Sequence, residues 1–231
     1  SPVEARGALL WRWIARWGFA VSVLALAACG NNPPVPEWQM NAKGSADRAA
    51  EAWLSGDSRV EAAEFARARS EVSRTARPDL LARIELLRCA ARAAALDFEP
   101  CTGFDALASD AAPAEQAYAR YLAGTAQAAD AALLPAAHRG LVGATGAPDA
   151  ALVGIADPMS RLVAAGVLFR RGLATPGTIT QAVDTASARG WRRPLLAWLQ
   201  VQWQRAQAAG AADEVARIQR RIDVVLGKSA L

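Results

Sequence analysis

The chain has 231 residues, 53% of them hydrophobic and only 6% aromatic, with 26 Lys and Arg against 22 Asp and Glu. That length supports one or two domains with a proper core, and a chain rich in Ala, Leu, Arg and Glu without long β-branched runs favours helix. The formal charge of +4 drops to +2 once residues 1–28 are set aside, since they carry Arg6, Arg12 and Arg16 against Glu4, so no electrostatic argument for nucleic acid remains.

Residues 1–17 hold the three arginines, and residues 18–28, GFAVSVLALAA, are uncharged, apolar and end in small residues directly before Cys29. A positive region, a short apolar run and a small-residue cleavage region, in that order, make a secretory signal peptide. A spanning helix needs about 20 apolar residues, and Arg12 and Arg16 interrupt any backward extension.

Leu26-Ala27-Ala28-Cys29 resembles the lipobox of bacterial lipoproteins. The resemblance implies cleavage between Ala28 and Cys29, a diacylglycerol thioether on Cys29 and acylation of its new amino group, so that the mature chain is held to a membrane by its lipid. Two or three acyl chains give a stable anchor where one does not. Gly30, in place of the aspartate that favours inner-membrane retention, implies the outer membrane, facing the periplasm. GNNPPVPE (30–37) then reads as an extended tether. The expected organisation is signal peptide 1–28, lipidated tether 29–43 and helical domain 44–231.

With Cys29 assigned to lipid, Cys89 and Cys101 form an even pair in an oxidising compartment. The expectation is a disulfide closing a 13-residue loop, stabilising by about 3 kcal/mol; two buried free thiols are the alternative. Their spacing is not that of a metal site, and His138 is the sole histidine.

From Gly44 the pattern is helix, punctuation, helix. Ser45 is expected to cap a short helix ended by Gly56, and Ser58-Arg59-Val60-Glu61 matches a capping box opening a helix with Phe65 and Val72. Pro78 starts the next, with a stripe of Leu80, Leu81, Ile84, Leu87 and Ala91. Residues 97–112 read as a loop, Pro113 opens a helix stopped by Gly124, and 126–156 has no clear pattern. Asp157-Pro158 and Thr175-Pro176 are cap-and-proline starts, and further helices follow Trp191 and Gly210. Glycines recur 38 residues apart (172 and 210) and 37 apart (190 and 227). This layout resembles tetratricopeptide hairpins, although the signature positions of that family are not reproduced. The expected fold class is all-α, stacked helical hairpins forming a solenoid or a compact bundle.

Chemistry is sparse. GLVGATG (140–146) lacks the lysine and hydroxyl residue of a phosphate loop and reads as a connection. His138 beside Arg139 reads as a solvated or capping side chain, and no catalytic constellation, metal or cofactor is expected. Among carboxylate pairs, Glu61 is assigned to the capping box, Glu64 with Arg67 to a solvated face, and Asp97 and Glu99 flank Phe98. No Glu-Ser dipeptide of the lytic transglycosylase kind occurs. WRRPLLAWLQVQWQR (191–205) allows two readings: helix packing, or an exposed protein-binding patch of Trp191, Arg192, Arg193 and Trp198. The functional expectation is a non-catalytic, membrane-anchored scaffold or adaptor for an envelope protein or peptide. A cell-wall enzyme or its regulator, and a purely structural outer-membrane lipoprotein, are the alternatives.

Overall fold

A computed structural model describes residues 33–143 and 148–228. Cys29, Ala28 and the rest of the signal sequence lie outside the described residues, as does part of the 140–146 loop. Among the described residues all regular structure is helical. No helix there is long and apolar enough to cross a membrane.

The first helix, α1, runs Glu37–Ser55 and the second, α2, Ser58–Ser73. Both starts correct the sequence reading. Helix begins straight after Pro36, so residues 37–43, expected to belong to a tether, are helical, and Ser45 is a buried interior residue rather than a cap. Gly44, which reads locally as a break, is carried within the helix because Ala42, Ala46 and Ala49 pack with Phe65, Ala68 and Val72 into a small N-terminal core. Tertiary packing there outweighs the roughly 1 kcal/mol that a helical glycine costs. At α2 the cap is Asp57, whose carboxylate accepts from Val60 N at 2.9 Å. Ser58 is the first helical residue, and Glu61 is released from the capping role.

Helix α3 (Pro78–Ala94) is the axis of the domain. It packs against α1, α2, α5 (Pro113–Leu122) and α7 (Pro158–Arg170). Gly166 marks the closest approach: a Cβ there would run into the backbone carbonyl of Ala93. Between α3 and α5 the expected loop contains a short helix, α4 (Thr102–Asp105), and a 3-10 turn at Ala108–Asp110. Cys89 and Cys101 are joined as a disulfide, with Cα atoms 6.0 Å apart, tying the C-terminal part of α3 to the start of α4.

The unpatterned stretch is a pair of 3-10 helices, Ala128–Leu133 and Ala136–Leu141, then a short α6 (Asp149–Val153). Asp130 pins the first, accepting from Gln127 N at 2.8 Å and from Arg120 at 2.6 and 3.0 Å. Asp157 caps α7 through Ser160 N. Thr175 and Thr178 form a reciprocal capping box at α8 (Pro176–Arg189), and Asp149 accepts from both hydroxyls, joining α6 to α8. Gly190 closes α8 in the left-handed region, φ 67°, where a side chain would be strained.

The last helices, α9 (Arg192–Ala208) and α10 (Ala212–Val225), continue the succession α7–α8–α9–α10, each packed on the one before it. Helix α9 also returns to α1. Stacked pairs therefore close back onto the N-terminal hairpin, and the domain is a helical hairpin bundle.

Candidate functional site

Several residues singled out in the sequence are structural. Trp191 and Trp198 are 4% and 0% exposed. Their indole N–H groups are occupied, Trp191 donating to Glu51 Oε1 at 2.9 Å and Trp198 to the Ala94 carbonyl at 3.1 Å. Arg193 stacks over the Trp53 ring, 3.6 Å from its centroid, and donates to the Trp53 carbonyl (2.7 Å) and Ser58 Oγ (2.8 Å). Burial and its nearby positive partner Arg92 lower its affinity for the proton. Arg192 donates to the Val225 carbonyl at 3.1 Å. These four residues hold α9 to α1, α3 and α10. With both tryptophans in the core, the binding-patch reading of 191–198 is corrected to the packing one.

The carboxylates are also reassigned. Glu61 is buried and takes a two-pronged hydrogen bond from Arg88 at 2.7 and 3.1 Å, joining α2 to α3. Glu64 does pair with Arg67 at 2.9 Å, but it is buried and also accepts from Arg48 of α1, so it is not on a solvated face. Asp97 accepts from Glu99 N and pairs with Arg92. Among the described residues no group of three or more His, Cys, Asp or Glu is placed to hold a metal ion.

One cleft was not foreseen. It has a volume of about 530 Å³ and opens between α3, α5, the 3-10 pair and α7. Leu86, Leu87 and Ala90 of α3 face Leu134, Pro135 and His138, while Tyr118 of α5 and Met159 and Val163 of α7 complete the apolar wall. Leu87 and Leu133 line it and remain 39% and 42% exposed, and among the described residues they are the large exposed aliphatic groups that fall on this cleft. The apolar stripe of α3 places Leu87 in the core, but the structure leaves it exposed on the rim of this cleft. Polar groups are few: Arg83, Glu115, Asp157 and Ser160.

His138 overturns its expected solvated role. It is 2% exposed, and its Nδ1 shares a 2.9 Å hydrogen bond with Tyr121 Oη. The Tyr121 and Tyr118 rings lie 4.9 and 6.0 Å from the imidazole, centroid to centroid. Burial pushes the imidazole down to about 4 against the opposing charge of Asp157, so it is neutral at pH 7. Burial also raises both tyrosine hydroxyls far above their ordinary range, and they keep their protons.

Glu115 is 8% exposed, and its Oε1 accepts from Arg83 Nε at 2.7 Å. Its Oε2 is buried without a hydrogen-bond partner. A cleft of several hundred cubic ångströms with apolar walls and a few placed polar groups has the make-up of a recognition site. Sequence periodicity could not locate it, because its lining comes from four separated segments. No protein family matches this chain, and no curated protein or solved structure is similar to it.

Proposed function

We propose that this chain is a lipid-anchored protein of the bacterial envelope, held to the outer membrane through Cys29, and that its helical bundle serves as a non-catalytic adaptor. The cleft between α3, α5 and α7 receives part of an envelope protein or peptide. The observation carrying this reading is the pair of exposed aliphatic side chains, Leu87 and Leu133, on an apolar depression whose polar groups are too few for a solvated surface. The anchor rests on the sequence of charged, apolar and small-residue regions over residues 1–28 and on Leu26-Ala27-Ala28-Cys29. The cell-wall enzyme alternative has less support: of the two cleft carboxylates only Glu115 is buried, and Asp157 is exposed and occupied in capping α7.

The test is photocrosslinking in the native envelope from benzoylphenylalanine placed at Leu133, with a control at Val224 on α10. One dominant protein captured from Leu133, absent from the Val224 control and lost in Cys29→Ala, is the expected result. No capture from Leu133, or the same products from both positions, would overturn the adaptor reading.

A further inference from the structure

We infer that the cleft is built for a segment of the partner protein in which one basic side chain, lysine or arginine, is flanked by aliphatic residues, the cation settling on Glu115. The inference rests on the adaptor reading and specifies its ligand.

The walls decide the flanks. Leu87 on one helix and Leu133 on the facing turn are exposed, so an occupant covering both reaches past the cleft itself and must be longer than a single small amine. Burying such groups against aliphatic side chains is the favourable contribution.

The polar groups decide the charge. Glu115 uses Oε1 for Arg83 and leaves Oε2 buried and unpaired. A carboxylate offers about four acceptor positions, and one left empty out of water carries a desolvation cost that an incoming donor removes. The charged groups lining the cleft are Arg83, Glu115 and Asp157, one positive and two negative. His138 adds no charge at neutral pH. The balance therefore favours a cation over a neutral donor. Arg83 pairs with the carboxylate through Oε1, and its own side chain is 59% exposed. It can turn outward by a change of rotamer and let a second cation share Glu115.

Because His138 is the only histidine, histidine-selective ¹³C labelling of the full chain gives a single ring signal from the wall of the cleft. The probes are the N-acetyl, C-amide pentapeptide Ala-Leu-Lys-Leu-Ala and its counterparts with norleucine or glutamate in place of lysine. The lysine peptide is expected to shift the signal saturably, at a concentration at least tenfold lower than the norleucine peptide, with the glutamate peptide weaker still. Glu115→Gln should erase the lysine advantage while leaving the norleucine response unchanged. Asp157→Asn, which keeps a good helix cap and leaves the buried pair intact, should reduce the advantage several-fold. Leu133→Asn, which removes the apolar contact without adding charge, should weaken all three peptides. Equal response to lysine and norleucine, a preference that survives both carboxylate variants, or no response to any peptide would overturn the inference. Equal binding of lysine and norleucine peptides that Leu133→Asn abolishes would overturn this inference, while the adaptor reading would still be decided by the Leu133 crosslink.

Discussion

Tyr121 and His138 meet at 2.9 Å in the interior, where a phenol and an uncharged imidazole satisfy one another. The pair joins α5 to the second 3-10 helix and fixes one wall of the cleft. Its presence makes the fold sensitive to acid.

In the folded chain the imidazole titrates near 4, whereas in the unfolded chain it takes its ordinary value near 6.5. Above 6.5 neither state binds the proton and the contribution to stability is complete. As pH falls below 6.5 only the unfolded state binds it, and stability is lost progressively until the folded imidazole also protonates near 4. The expected loss from this residue between pH 7.5 and 5 is about 2 kcal/mol. Urea midpoints at the two pH values check it. In His138→Phe that pH dependence should shrink by most of this amount, and an unchanged dependence would show that the residue titrates normally.

Arg193 holds the end of the bundle to its beginning. It lies over Trp53 and donates to the Trp53 carbonyl, joining residues 140 positions apart. Arg193→Ala is expected to destabilise by about 2 kcal/mol, combining a partly desolvated cation–π contact with a charge-assisted hydrogen bond. Arg193→Lys should recover only part of this, since an ammonium lacks the planar face and fork of a guanidinium. Denaturant unfolding of the two variants measures both effects.

The Cys89–Cys101 disulfide closes a sequence separation of 12 residues. Loss of loop entropy in the unfolded chain predicts a stabilisation of about 3 kcal/mol. Thermal unfolding with and without reductant, alongside the double Cys89→Ser, Cys101→Ser variant, measures it. The intact oxidised chain should be two hydrogens lighter than the reduced one, and two freely alkylated thiols without reductant would contradict the bridge.

Helix starts and stops were legible wherever the signal is local. Pro78 and Pro113 open their helices, Asp157 and Thr175 cap theirs, and Gly124, Gly172, Gly190, Gly210 and Gly227 all take positive φ at helix ends. These devices act within about one helical turn, so neighbouring residues suffice to reveal them. The same local logic fails at Gly44 and Ser58, where a break and a cap are plausible in isolation. There a second helix packs over the first, and Asp57 is the better acceptor.

The sequence by itself therefore determined the all-helical class, the cysteine pair and most helix boundaries, because caps, prolines and left-handed glycines are chemistry within a few residues. Only the tertiary structure decided which side chains are hidden. Trp198 finds its acceptor on Ala94 and Trp191 on Glu51, 104 and 140 positions away, and Glu61 finds Arg88 on a different helix. The cleft belongs to the same class of property. Its walls come from α3, α5, the 3-10 pair and α7, and no periodicity along one of them records the gap that the others leave uncovered.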